Sequence, residues 1–201
     1  MTTRLTIVRH GTTVWMEQGL THGRLDAPLS ELGVRQAQAA AAALHGRQFE
    51  AFYSSPTGRA WQTAQILAPA VGLQPEPLDL LMEQDFGALE GTPMHRMPAV
   101  LMALRMISGW VLPFGRGGET FGAVSRRAKK VLDQLARQHP QGAVLIVSHS
   151  GLINTLLRRL TGRLFGFYLI RPASITEVEL DGHGRGKILT DIETAFRPKA
   201  M

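Results

Sequence analysis

The sequence predicts an α/β fold, specifically a three-layer α/β/α sandwich around a mostly parallel mixed sheet. Two short runs of branched apolar residues, 5–8 and 144–147, lack polar alternation, which is typical of strands buried on both faces of a parallel sheet. Segments with apolar residues at helical spacing alternate with these strands, as helix-covered parallel sheets require. The length of 201 residues and the 44% hydrophobic content match one domain over residues 1–201.

The first half of the chain supplies the early elements in order. Ser30 has the side chain of a helix cap, and apolar residues recur at helical spacing after it. A short strand is predicted at 51–54. Ser55 and Pro56 then have the pattern of a cap followed by proline at the first helical position. Two residues mark the predicted end of this helix: Pro69 and Gly72.

The second half continues the alternation. A long helix is predicted at 120–139, followed by the second apolar strand and another amphipathic helix. Two further strands are predicted at 175–180 and 187–192, joined by a turn at 182–184.

Residues 92–118 interrupt this pattern. The segment mixes methionines and aromatic residues with prolines and glycines. Methionine-rich surfaces adapt their shape, so we expect a lid-like insertion over the sheet. A small satellite core is the alternative, because apolar residues most often simply pack together.

Several classes of protein are excluded by what the sequence lacks. It contains no cysteine, which excludes disulfides, thiolate nucleophiles and zinc-thiolate sites. The start lacks the pattern of a secretory signal, and no run approaches the roughly 18 apolar residues needed to span a bilayer. We therefore expect a cytoplasmic protein without membrane contacts.

The formal net charge of +6 favours an anionic partner. Nucleic-acid binding requires a stripe of basic residues interleaved with aromatic ones, whereas the basic residues here are scattered, so no nucleic-acid partner is expected. The local basic pairs at 126–127, 129–130 and 158–159 are predicted to lie on solvated helix faces. A small anionic substrate would use the same positive field. A homodimer is compatible with the sequence.

Each of the two apolar strands runs directly into a histidine, His10 or His149. Ligands of open α/β sheets bind just beyond the carboxyl ends of the strands, so both histidines are candidates for a functional site. The side chain of Arg9 reaches the same site only if the chain turns at Gly11. The alternative for His10 is a loop histidine without function, since so short a motif also arises by chance.

A further feature indicates that this site binds an anion. Arg59 falls in the first turn of a predicted helix, where the positive end of the helix dipole requires a negative partner. A carboxylate would supply it in a salt bridge, and a phosphate would also fit. The residues after His149, beginning with Ser150, offer free backbone N–H groups. We predict that Arg9 and Arg59 hold a phosphoryl group with this histidine, which leaves His10 as the nucleophile.

Five segments carry a resemblance to a known family. They are Arg9-His10-Gly11 with Thr13, residues 54–64, residues 83–91, residues 117–120, and Ser148-His149-Ser150-Gly151. In this order they resemble the motifs of the histidine phosphatase superfamily, also called phosphoglycerate mutase-like, and they span nearly the whole chain. The resemblance implies a phosphoglycerate mutase-like fold. It also implies a two-step phosphoryl transfer that uses neither a metal nor an organic cofactor.

The resemblance also implies roles for individual residues. In the terms of this family, His10 forms a phosphohistidine that water later hydrolyses, while the two arginines and His149 hold the phosphoryl oxygens. Glu83 occupies the position of the acid that protonates the leaving oxygen. Asp85 and Glu90 are nearby alternatives, for which orientation of the loops is the simpler role.

The chain departs from the family pattern at two positions. Many relatives carry asparagine three residues after the motif threonine, whereas this chain has Met16 and so lacks an amide donor to phosphate. Nearby hydroxyls, including that of Thr13, or the ring of His22 are the predicted replacements. Ser150 replaces a common glycine and keeps its backbone N–H. Arg24 is a further candidate for binding the substrate, at a second anionic group.

The segment after the acid distinguishes between branches of the family. The mutases follow it with Arg-His-Tyr-Gly, whereas residues 84–87 here are Gln-Asp-Phe-Gly. We therefore expect a phosphomonoesterase that acts on a small organic phosphate. A bisphosphate-primed phosphoglycerate mutase and a catalytically silent phosphate-binding module are the alternatives.

Overall fold

The computed structural model describes residues 2–93, 112–113, 115–163, 168–190 and 193–194. Its strands are β1 (Thr2–Arg9), β2 (Ala51–Ser54), β3 (Glu76–Pro77), β4 (Ala143–Ser148), β5 (Ser174–Asp181), β6 (Gly186–Ile188) and β7 (Glu193–Thr194). Its α-helices are α1 (Val14–Glu17), α2 (Glu31–Leu44), α3 (Gly58–Val71), α4 (Phe121–Gln138) and α5 (Ser150–Thr161). Two short 3-10 turns cover Asp79–Leu81 and Gly87–Leu89.

All these strands belong to one mixed sheet. The order is β3-β2-β4-β1-β5-β6, and β7 pairs with β5. The strands β3, β2, β4 and β1 are mutually parallel, and β5 runs antiparallel to β1, β6 and β7. In the β1–β4 register Arg9 lies opposite Ser148, and the N–H of His10 donates to the carbonyl of Ser148 at 3.0 Å. The two strands therefore end side by side.

Helices cover both faces of the sheet, which confirms the predicted three-layer α/β/α sandwich. Leu5 and Ile7 of β1 pack with α4 and α5 on one face, whereas Val8 packs with α2 and α3 on the other. The same alternation holds in β4, where Ile146 and Leu145 enter opposite cores. Burial on both faces explains why these strands show no polar alternation.

One helix cap was predicted correctly, and one helix start was wrong. The Oγ of Ser30 accepts from Gly33 N at the start of α2, as predicted. The long helix predicted at 120–139 is α4, Phe121–Gln138. The helix expected to follow Ser55-Pro56 begins at Gly58 with Thr57 as its cap residue, because the Ser55 hydroxyl contacts His149 instead.

The predicted end of the same helix was partly wrong. Pro69 lies inside α3, which continues to Val71 and ends at Gly72 with a φ of 69°. A proline in the last turn removes one backbone hydrogen bond without ending the helix, whereas the left-handed glycine does end it.

Two predicted segments, 92–118 and 187–192, extend beyond the described residues. Within the predicted insertion at 92–118, the described residues are 92–93, 112–113 and 115–118; its methionines and tryptophan lie outside them. The strand predicted at 187–192 ends at Ile188, and residues 191–192 also lie outside the described part. Within that part, no helix combines the length and apolar character needed to cross a membrane.

Candidate active site

The structure brings the five predicted catalytic residues together at the carboxyl edge of β1 and β4. The rings of His10 and His149 follow these strands directly, with centroids 5.0 Å apart. Arg59 is the second residue of α3, and Glu83 follows the 3-10 turn after β3. The charges of Arg9 and Arg59 both act on Glu83, so cations and carboxylate share one buried cluster.

The ring of His10 is held in one orientation by its neighbour. Its Nδ1 lies 2.7 Å from the Gly11 carbonyl oxygen. Since a carbonyl only accepts, Nδ1 carries the proton and the lone pair is on Nε2. Burial lowers the pKa of His10 well below its ordinary value, and the charges of Arg9 and Arg59 lower it further. The ring is therefore neutral at pH 7.

Gly11 allows the loop that follows β1, which carries His10, to contact α2. A Cβ at Gly11 would lie 2.4 Å from the carbonyl oxygen of Gly33. The close backbone approach therefore fixes the loop that carries His10.

Arg9 contacts two different segments. Its Nη1 donates to the Ile170 carbonyl at 2.6 Å, and its Nη2 lies 3.7 Å from the sulfur of Met16. Burial lowers the pKa of Arg9 to about 10, so the guanidinium remains charged at pH 7. A thioether is only a weak acceptor. Met16 thus occupies the neighbourhood of this cation without holding it strongly.

Arg59 is fully buried, at 0% exposure, and is surrounded by the loop 23–26. Its guanidinium donates to the carbonyls of Gly23 and Leu25 at 2.6 and 2.9 Å and to Asp26 Oδ1 at 3.0 Å. Burial lowers the pKa of Arg59, while Glu83 and Asp26 partly offset that effect. Asp26 is therefore the carboxylate partner that the position of Arg59 in the first helical turn required.

His149 is oriented by two hydroxyl groups. Its Nε2 lies 2.8 Å from Ser55 Oγ and 3.1 Å from Thr57 Oγ1. Burial lowers its pKa well below the ordinary value, with Arg59 adding to the effect, so this ring is also neutral at pH 7. Since a hydroxyl both donates and accepts, these two contacts fit a ring proton on either nitrogen.

Three side-chain nitrogens at this site are buried without a hydrogen-bond partner in the described part of the chain. They are the Nε of Arg9, the Nε of Arg59 and the Nδ1 of His149. Buried polar groups are normally satisfied, and exceptions need an explanation. These three groups belong to the residues that sequence analysis assigned to phosphoryl binding, and their chemistry suits the oxygens of an anion.

The carboxylate of Glu83 is buried against the start of α5, at 6% exposure. Its Oε1 accepts from Gln84 N at 2.9 Å and Leu152 N at 3.1 Å, and its Oε2 accepts from Gly151 N at 3.0 Å. A Cβ at Gly151 would lie 2.5 Å from Oε1, so glycine is what lets the carboxylate approach.

The other candidate residues lie around this cluster. Thr13 caps α1, its hydroxyl accepting from Met16 N at 3.1 Å and lying 2.7 Å from His22 Nε2. Burial, then the nearby arginines, lower the pKa of His22 to about 4. Arg24 forms ion pairs with Asp85 and Glu119 at 3.7 and 3.4 Å. Ser150 is the first residue of α5.

Several structural contacts near the site were not predicted. Glu90 accepts from the N–H groups of Arg24, Leu25 and Phe86 at 2.7–2.9 Å, which joins two loops and matches the orienting role expected for it. Arg127, in contrast, was expected on a solvated face. Its side chain is only 12% exposed, because it points to the segment before Glu83. The sequence signal that could have indicated this burial is the position of Arg127 next to the apolar residues of α4.

A sequence model of the histidine phosphatase superfamily (branch 1) matches residues 5–190. The chain belongs to this superfamily. A putative phosphoserine phosphatase of Hydrogenobacter thermophilus is 31% identical over 188 residues, covering 89% of this chain and 90% of that protein. A bifunctional protein of Mycobacterium tuberculosis is 36% identical over 190 residues, which are 90% of this chain and 51% of that protein. The chain spans about half the length of such mycobacterial relatives.

The fold agrees with this membership. The solved structure of a mycobacterial glucosyl-3-phosphoglycerate phosphatase is 28% identical and superposes with a TM-score of 0.82, covering 98% of this chain and 100% of that one. The sequence match and the fold thus agree on the superfamily. Among the described residues, no three imidazole or carboxylate groups are clustered as metal ligands.

Proposed function

We propose that this histidine phosphatase superfamily member is a phosphomonoesterase that hydrolyses a small organic phosphate through a phosphohistidine on His10. The observation that supports it most directly is the arrangement of unpaired nitrogens. A neutral imidazole with its lone pair on Nε2 lies beside Arg9, Arg59 and His149, each of which has one buried side-chain nitrogen without a partner.

In the first step, Nε2 of His10 attacks phosphorus and the bond from phosphorus to the ester oxygen breaks. Arg9 and Arg59 neutralise the phosphoryl oxygens, and the Nδ1–H of His149 donates to one of them. Glu83 in its protonated form gives its proton to the leaving alcohol oxygen and becomes a carboxylate. In the second step, water attacks phosphorus, the bond from phosphorus to Nε2 of His10 breaks, and the Glu83 carboxylate takes a proton from the water, so that inorganic phosphate leaves.

The remaining candidates have supporting parts in this proposal. Gly11 and Ser150 shape the backbone beside the phosphoryl group. His22 orients the hydroxyl of Thr13 at the start of α1. Arg24 is available to a second anionic group on the substrate. We propose that residues 1–201 form one domain. The names of the relatives point to small phosphorylated metabolites such as phosphoserine.

The test is the detection of the covalent intermediate. Brief exposure of the protein to substrate, followed by denaturation at high pH and intact-protein mass spectrometry, should reveal one added phosphoryl group. His10→Ala should abolish it completely, whereas His149→Ala should slow its formation. His183→Ala is the matched control, because this exposed histidine follows Asp181, which pairs with Thr2 at the opposite edge of the sheet. An adduct that survives His10→Ala contradicts the proposal.

Product analysis separates the alternatives. A phosphatase releases stoichiometric phosphate from a panel of phosphomonoesters. A mutase would instead isomerise 3-phosphoglycerate only when primed by a bisphosphate, and a silent binding module would bind phosphate without forming an adduct. Either of the last two results would reject hydrolysis as the activity.

A further inference from the structure

The backbone that carries Glu83 is held by side chains and not by the sheet. We call residues 80–83 the acid segment. Its four consecutive carbonyl groups all accept hydrogen bonds from just two side chains. Arg127 of α4 binds the first, third and fourth, of which the first and fourth are 3.1 Å away, and Ser148 of β4 binds the second at 2.7 Å.

Arg127 is itself fixed by Glu119. Its Nε and Nη2 donate to the two carboxylate oxygens of Glu119 at 3.2 and 2.7 Å. Such a bidentate pair fixes the plane of the guanidinium, and an ammonium group cannot reproduce it. Burial raises the pKa of Glu119, but Arg127 outweighs that effect and the pKa lies below its ordinary value, so the pair is ionic at pH 7.

Glu119 also binds the chain on the other side of Glu83. Its Oε2 accepts from Asp85 N at 3.1 Å, its backbone N–H donates to the Asp85 carbonyl at 2.8 Å, and its carbonyl accepts from Gln84 Nε2 at 3.2 Å. The Arg127–Glu119 pair therefore forms hydrogen bonds with the backbone both before and after Glu83. The Glu83 side chain reaches the first N–H groups of α5 from this support.

We propose that Arg127 is a positioning residue for general acid catalysis: it holds the acid segment so that the Glu83 carboxyl reaches the leaving oxygen. This inference rests on the proposed function of Glu83. Arg127 contacts neither substrate nor the reacting atoms in this scheme. A misplacement of about 1 Å at a reacting group is enough to cost about 100-fold in rate.

The dependence on the leaving group tests this role. Nitrophenolate leaves readily without a proton, whereas an alkoxide needs one, so a defect in acid catalysis affects alkyl phosphates selectively. Arg127→Met should lower kcat about 100-fold on an alkyl phosphate, with phosphoserine tried first, and less than about threefold on p-nitrophenyl phosphate. Arg126→Met is the matched control, because its side chain is exposed, and it should leave both rates unchanged.

Two further variants make the result decisive. Arg127→Lys should restore little of the alkyl phosphate activity, since lysine cannot bridge the carbonyl groups and the Glu119 carboxylate together. If Arg127→Met does not fold, Glu119→Gln, which releases the guanidinium without adding bulk, should show the same leaving-group selectivity in weaker form. An equal loss on both substrates in a folded variant, or no loss, overturns the proposal.

The proposed function fails in a different way. If His10→Ala still forms the adduct, the nucleophile is wrong. If Glu83→Gln shows no leaving-group selectivity, Glu83 is not the acid, and the role of Arg127 falls with it. If Glu83→Gln is selective and Arg127→Met is not, the positioning role alone is refuted.

Discussion

Replacing Gly151 with alanine tests whether close approach of the α5 backbone holds the Glu83 carboxylate in place. The new Cβ would lie 2.5 Å from Oε1 and 3.1 Å from Cδ, whereas ordinary contacts begin at 3.4 Å. The carboxylate must therefore retreat by about 1 Å, which stretches its bonds to the N–H groups of Gly151 and Leu152. That displacement is comparable to the misplacement that costs about 100-fold in rate.

The effect on stability should be smaller than the effect on activity. Two hydrogen bonds to a charged group are worth about 1.5 kcal/mol each at the low end, and alanine returns up to about 1 kcal/mol of helix propensity. We expect Gly151→Ala to lose about 2 kcal/mol of unfolding free energy, measured in urea, so the variant should remain folded at 25 °C.

The assay compares kcat/KM on an alkyl phosphate and on p-nitrophenyl phosphate for the purified variant. Only the first should fall about 100-fold, because only it depends on the proton from Glu83. Gly182→Ala is the control, since a Cβ there would meet nothing within 4 Å. Wild-type activity of Gly151→Ala on the alkyl phosphate would refute this account of the site.

The depressed histidine pKa values and a buried ion pair give three further predictions. Because the folded-state pKa values of His10 and His149 lie well below 6.5, the unfolded chain binds more protons below that pH, and stability should fall by about 1.4 kcal/mol per pH unit for each as the pH drops below 6.5. The unfolding free energy, measured in urea at each pH, should depend less steeply on pH for His10→Gln than for the wild type. An unchanged pH dependence would contradict the burial of a neutral ring. For the same reason, the rate of phosphohistidine formation should not fall between pH 8 and 6.5; a midpoint near 6.5 would argue against a depressed His10 pKa. Asp26→Ala should cost about 1–3 kcal/mol, since it removes the carboxylate from a guanidinium of 0% exposure while two carbonyl contacts remain. The exposed pair of Glu31 and Arg35, 3.9 Å apart, supplies the control, for which Glu31→Ala should cost under about 0.5 kcal/mol; equal costs for the two variants would show that burial of Arg59 adds nothing.

Much of the fold could be predicted because its signals are local. Continuous apolar runs gave β1 and β4 since both faces of these strands are buried. Ser30 marked a helix start because a cap bonds to an N–H only three residues away. The start of α3 was wrong for the opposite reason: the hydroxyl of Ser55 serves His149, 94 residues away.

In the candidate site, too, local sequence signals predict one part and long-range contacts decide the other. The sequence by itself determined which residues gather at the carboxyl edge of the sheet, because Arg9, His10 and His149 sit where two parallel strands end. Only the tertiary structure decided how they are held: Arg59 inside the loop 23–26, and the acid segment on Arg127. Those contacts join residues more than 30 positions apart, and no local spacing encodes them. Whether a basic residue lies in water or supports a carboxylate depends on what packs against its helix, which only the folded chain defines.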